Sequence, residues 1–376
     1  MAGLHDTSKI KRTTLDERAL KPKSAWRTSA VAMLFGLLVP GVLLLVVPDK
    51  RKMLIALDQT RWHLMLLAVA CLALAVLSDA GRLWWMCRGL GQSIPYLKVV
   101  QAIKAANSVS LVTPFVSGGA PCIVWVLKQS GISTSMASAA VVAGGLVSQS
   151  TLVTLSILIP LVSGISRAED AFSKLLWTAT LAVVPLYLFG VLVVLMSSLK
   201  IHRLERYIRR AVDRLSSVKR ARALASRAAS LLNSICLGLH DYRASFNILA
   251  MERPAVLIRA YLFSAGYFMM LFTVGYITLL ALGVRADYLE VVAAQVLILL
   301  AASATPTPGG AGATEFGAYS LFTLLVPPEV VAVFIVLWRL LSYWLLLFSG
   351  SVAFALAVRT QAALSREDLT QNPEDA

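Results

Sequence analysis

The sequence predicts an all-α polytopic membrane protein of about six full spans plus two re-entrant helical hairpins arranged as an inverted repeat, with both termini cytoplasmic. Three observations carry that expectation. The 376 residues are 58% hydrophobic and only 15% charged, with a mean hydropathy of +0.74, which excludes an ordinary soluble domain. Several apolar windows run long enough for a helix to cross about 30 Å of hydrocarbon, and the alternating short strands of a barrel are absent. Two apolar stretches are broken by Pro and Gly, around Thr113–Ala120 and Thr305–Glu315. Backbone of that kind is tolerated at membrane depth only where it packs on protein or lines a wet cavity.

The net charge of +15 sits in segments that flank the apolar runs, so it reads as orientation and anionic-lipid contact rather than nucleic-acid binding. Residues 1–28 form a basic tail of seven Lys or Arg against three acids and place the N-terminus in the cytoplasm. The first membrane half covers 29–198. Its spans are expected at 29–48, 62–86, 137–162 and 174–198, with a re-entrant segment at 99–127. The loop at 49–61 holds Lys50, Arg51, Lys52 and Arg61 and conflicts with an external position, but the segments at 1–28 and 199–253 are more basic and dominate. The second span ends in Asp79, Arg82, Trp84, Trp85 and Arg88, read as an interfacial belt in which Asp79 and Arg82, three apart, pair with each other.

Residues 199–253 hold twelve Lys or Arg. Ile201, Leu204, Ile208, Val212 and Leu215 recur at helical spacing, with Lys200, Arg203, Arg206, Arg210 and Arg214 lying between them. This is a basic amphipathic connector suited to an anionic membrane surface, or equally a solvated link between halves. The second half, 254–358, contains a span at 255–283, a re-entrant segment at 291–326 and a last span at 329–358; residues 359–376 form a polar cytoplasmic tail.

The two broken stretches resemble each other: Thr113-Pro114, a spacer, then Gly118-Gly119-Ala120, beside Thr305-Pro306, a spacer, then Gly309-Gly310-Ala311. The topology makes them enter from opposite faces. Paired interrupted segments in opposite-facing halves point to a transport site near the bilayer midplane. Candidate residues for that path are Asn107, Thr113, Pro114, Gly118 and Gly119 from the first stretch, and Pro306, Pro308, Gly309, Gly310, Gly312 and Glu315 from the second. Arg339 and Tyr343 of the last span join them. Glu315 and Arg339 are each costly in hydrocarbon and should face a partner or water, as a buried pair, as headgroup contacts, or as both in exchange.

Catalysis is not expected. The chain has no Gly-x-Ser-x-Gly elbow, no His-Glu-x-x-His, no Walker lysine motif and no paired carboxylates. Cys71, Cys87, Cys122 and Cys236 lack metal-ligand spacing, and neither a metal nor a cofactor is expected.

At Pro306-Thr307-Pro308-Gly309-Gly310-Ala311-Gly312-Ala313-Thr314-Glu315 and Leu337-Trp338-Arg339-Leu340-Leu341-Ser342-Tyr343-Trp344 the chain resembles the membrane domain of bacterial lysylphosphatidylglycerol synthetases, a flippase-like family with stand-alone members. The resemblance covers about 29–358, and Asn107 through Lys128 looks like the family's earlier Pro and Gly-Gly segment. It departs at Val142-Ala143-Gly144-Gly145-Leu146-Val147-Ser148-Gln149, where an acidic and basic pair is expected. The soluble aminoacyl-transferase domain is not in the sequence, so the resemblance implies translocation of a phospholipid or lipid-linked substrate across the inner membrane rather than lipid synthesis. Two other readings are a secondary transporter of a small anion and a non-transporting partner of a lipid or glycan synthase. Expected partners are membrane lipids and anionic headgroups at the cytoplasmic face, with no nucleic acid; a homo-oligomer is allowed.

Overall fold

The structure, a computed structural model, describes residues 57–163, 171–199 and 252–371, with 51, 55 and 248. The expected span at 29–48, the basic tail 1–28 and the connector carrying Lys200, Arg203, Arg206, Arg210 and Arg214 lie outside the described residues.

Every element among the described residues is helical. In chain order they are α1 Trp62–Gly89, α2 Tyr96–Val112, α3 Gly119–Gln129, α4 Thr134–Val162, α5 Ala171–Leu199, α6 Pro254–Ala281, α7 Tyr288–Ser303, α8 Ala313–Phe322, α9 Pro328–Arg339 and α10 Leu346–Gln371. Among the described residues four stretches are long and apolar enough to cross a membrane: α1, α4, α6 and the run Glu329–Ala363, which joins α9 to the first part of α10. They fall where spans were expected at 62–86, 137–162, 255–283 and 329–358. The 29-residue α5 occupies the place of the fifth, 174–198.

Helix starts follow local chemistry. Ser133 accepts the Met136 N–H ahead of α4, and Asp287 accepts the Leu289 and Glu290 N–H groups ahead of α7, which satisfies donors that a first turn leaves open. Pro254 and Pro328 open α6 and α9, where a missing N–H costs nothing.

The outward faces are apolar. Leu66, Leu74, Leu158, Val162, Leu181, Ile258, Leu262 and Val352 are exposed, while Arg82, Glu315 and Arg339 are buried. That inversion of the soluble pattern suits a lipid surround, because a charged side chain in hydrocarbon is costly unless it turns inward.

Contacts pair elements of the two halves. α1 packs along α6, α2 along α10, and α7 against α4 and α5. Small residues permit the close approaches. A Cβ on Gly81 would sit 2.5 Å from the Phe263 ring, and one on Gly350 would run into the Lys104 carbonyl oxygen.

Each broken stretch folds as a helical hairpin, α2 with α3 and α7 with α8. A Cβ on Gly119 would strike Ser110 Oγ, and one on Gly310 would lie 2.6 Å from the Ala302 Cβ. The tips are single 3-10 turns, Pro114–Val116 and Pro308–Gly310, and the two tips pack against each other.

The tips correct the register of the repeat. Thr113 and Thr307 are both extended, Pro114 and Pro308 both open the turn, and the next two residues are left-handed in each: Phe115 and Val116 at φ 54° and 56°, Gly309 and Gly310 at 60° and 65°. The structural counterpart of Thr113-Pro114 is therefore Thr307-Pro308, not Thr305-Pro306. Sequence comparison matched Gly to Gly, whereas the backbone matches Phe and Val to Gly.

Glycine accepts that conformation without strain; a β-branched residue does not. Left-handed backbone costs a side-chain-bearing residue about 1–2 kcal/mol, against roughly 0.5–1 kcal/mol for the extra freedom of an unfolded glycine. Val116→Gly is accordingly expected to raise the melting temperature of the purified protein, and a fall in a thermal melt would contradict the strain.

Candidate functional site

Between the two hairpins lies a cavity of about 330 Å³. α1 contributes Asp79 and Arg82, α2 contributes Asn107 and Ser110, α4 contributes Ser148 and Gln149, and α6 contributes Tyr267. Gln295 and Ser303 of α7, Gly309 and Gly310 of the tip, Thr314 of α8, and Arg339 with Ser342 complete the polar lining. Leu72, Leu111, Leu152, Phe268 and Ile298 supply apolar wall. The volume falls in the range of small-ligand sites, and its mixed lining suits a group that is part polar and part hydrocarbon.

Two ion pairs flank the space. Arg82 Nε and Nη2 both donate to Asp79 Oδ1, at 2.9 and 2.6 Å. Arg339 Nε donates to Glu315 Oε1 at 2.7 Å. The other oxygen of Glu315 accepts the Gly312 N–H at 2.7 Å, so this carboxylate caps the first turn of α8 and holds α9 in one stroke. Glu315 is 1% exposed and does not reach the cavity wall. The Gly312 N–H at the second break is thus taken by Glu315 and is not available to a ligand.

Directly after Arg339 the last span makes a π-turn, Leu340–Leu345. π-turns are rare and concentrate at functional sites. The Arg339 guanidinium lies 4.9 Å from the centre of the Tyr343 ring, and Tyr343 in turn packs under Gly309. Arg339 Nη2 is buried with no hydrogen-bond partner.

Asn107, Gly309, Gly310 and Arg339 line the cavity as candidates of the sequence. Glu315, Gly312 and Tyr343 stand behind the wall and set Arg339. Thr113 closes the first tip: its hydroxyl donates to the Val109 carbonyl and accepts the Gly118 N–H, both at 2.9 Å. Gly118 and Gly119 are packing positions against Val109, Thr113 and Ser110, while Pro114 and Pro306 are exposed.

Asp79 and Arg82 are paired as expected, but they face the cavity rather than an interfacial belt. Sequence reasoning also passed over Gln149 and Gln295. A charge pair seven and ten residues inside the end of α1 was the available signal, since ionisable groups within spans mark functional interiors. Gly144 explains how Arg82 fits. A Cβ there would lie 2.5 Å from Arg82 Nη1, so the guanidinium fills space on α4 that a side chain would otherwise occupy.

Among the described residues no group of three or more His, Cys, Asp or Glu could hold a metal. Fold and site together define a helical membrane protein with a charged internal cavity walled by two broken hairpins. The chain belongs to the family described as the lysylphosphatidylglycerol synthase TM region, whose sequence profile matches residues 30–350. It is also similar to a UPF0104 membrane protein of Archaeoglobus fulgidus, at 23% identity over 297 residues, covering 79% of this chain and 87% of the relative.

Proposed function

We propose that this protein moves a phospholipid or other polar lipid between the leaflets of the bacterial inner membrane. The headgroup crosses in the cavity between the two hairpins while the acyl chains stay in the bilayer. The hairpins act as re-entrant segments of an inverted repeat, and no bond is made or broken. The observation that carries this reading is the cavity itself: two ion pairs and several amides and hydroxyls gathered inside a molecule whose outer faces are apolar. The pairing of the two left-handed tips supports it, because broken helices meeting in the interior are a recurring way to build a midplane site. Membership of the lysylphosphatidylglycerol synthase TM family, whose name refers to a lipid, supports the reading. The basic connector 199–253 and tail 1–28 would rest on anionic headgroups at the cytoplasmic face.

The test is reconstitution of the full chain in liposomes containing acyl-labelled phosphatidylglycerol, phosphatidylethanolamine and phosphatidylcholine in separate preparations. Protein-containing vesicles are expected to lose protection of the inner-leaflet label against a membrane-impermeant quencher. Full protection across the panel, equal to that of empty vesicles, would end the proposal.

A further inference from the structure

We propose that the cavity receives one anionic oxyacid group, a phosphate monoester or diester, held between the guanidinium groups of Arg82 and Arg339. This deepens the lipid-translocation reading and rests on it for its setting, but the argument comes from the charges themselves. The two arginines lie on α1 and α9, in different halves of the chain, and line the same space. Their carboxylate partners are not equivalent. Glu315 stays behind the wall with both oxygens engaged, one by Arg339 and one by Gly312. Asp79 does line the cavity, and Arg82 spends two donors on a single one of its oxygens. The lining therefore presents two cationic groups and one anionic group.

Both guanidinium groups also keep donors in reserve. Arginine carries five N–H donors. Arg339 spends one on Glu315 and is 6% exposed, and its Nη2 is buried without a partner. Such a donor is costly to leave unmade and is satisfied by an acceptor arriving in the cavity. Arg82 spends Nε and Nη2, leaving Nη1 in the space opened by Gly144. A planar fork with free N–H groups matches the oxygens of a phosphate better than a point charge does. Asp79 and the unpaired Gln149 Oε1 leave room for a hydroxyl or amine elsewhere on the same headgroup. A headgroup of net positive charge, as an aminoacylated lipid carries, would meet two arginines and is disfavoured.

The experiment is titration of the purified full chain in detergent with short-chain phosphatidylglycerol, with short-chain ethylphosphatidylcholine, whose phosphate is a neutral triester, and with inorganic phosphate as competitor. Phosphatidylglycerol is expected to bind about tenfold or more tighter than the triester, and Arg82→Gln to remove about tenfold of that affinity, with Arg82→Lys in between. Because Arg339→Gln alone strands Glu315, the second variant is Glu315→Gln with Arg339→Gln, expected to flatten the selectivity in a protein that still folds. Equal affinity for the two lipids, or full selectivity in Arg82→Gln, overturns the clamp. Competition by inorganic phosphate with the same Arg82 dependence supports it and assigns the site to a soluble oxyanion; absence of competition beside selective lipid binding supports it and assigns the site to a headgroup. Leaflet exchange is read separately. Exchange without phosphate selectivity sinks the clamp alone, whereas selectivity without exchange sinks translocation alone.

Discussion

Arg339→Ala is expected to cost the protein about 3–5 kcal/mol, the largest effect of any single substitution considered. Arg339 and Glu315 are 6% and 1% exposed, so removing the arginine leaves a buried carboxylate with no cationic partner and only the Gly312 N–H bond. Attraction between buried charges barely outweighs their desolvation, so the damage comes from stranding one of them. Glu315 also caps α8 through Gly312, so disturbing its carboxylate disturbs the start of that helix. The second hairpin and the last span should therefore loosen together. Thermal unfolding of detergent-purified protein measures this. Glu315→Gln combined with Arg339→Gln should recover most of the loss, because an amide pair of similar shape carries no stranded charge. Equal melting temperatures for Arg339→Ala and the double variant would show that packing, not charge, accounts for the cost.

Gly309→Val is expected to destabilise by roughly 3 kcal/mol, adding left-handed strain to overpacking. Gly309 has φ 60°, and a Cβ there would lie 2.5 Å from Tyr343 Cε2 and 3.1 Å from the Leu111 carbonyl oxygen. Neither neighbour can give way. Tyr343 is 1% exposed and lies beneath the Arg339 guanidinium, and Leu111 is backbone in the last turn of α2. The valine would thus push the two hairpin tips apart. Gly145→Ala on α4 is the control: nothing lies within 4 Å of its Cβ, and alanine favours a helix over glycine, so its melting temperature should hold or rise. Equal losses in the two variants would mean that glycine content rather than contact geometry is being measured.

Much of the membrane architecture was legible because hydropathy and breaker residues speak locally. The runs at 62–86, 137–162 and 255–283 announce helices by length, and Pro308 and Gly309 announce a break by their backbone limits. Glu315 and Arg339 could be paired from sequence since each alone is too costly in hydrocarbon. What stayed hidden depends on azimuth. Asp79 and Arg82 were seen as a pair, but which way they face is set by how α1 packs on α6, where Gly81 meets Phe263. The repeat was placed two residues out of register because Phe115 and Val116 adopt a conformation that their side chains disfavour, and no propensity argument predicts that. Gln295 is an interior donor to the Phe272 carbonyl at 2.8 Å, a role that one amide in an apolar run does not declare.

The π-turn at Leu340–Leu345 works as an angular spacer in the last span. Upstream of it Arg339 must point at the cavity; downstream, Gly350 must present its bare face to the Lys104 carbonyl on α2. Each residue turns an α-helix by about 100°, so the extra residue held in the wide turn sets the phase between those two faces. Any event that tightened the turn to ordinary α-helix would rotate α10 against the first hairpin while Arg339 stayed fixed by Glu315. The last span thus links the charged wall made by one half of the chain to the hairpin supplied by the other.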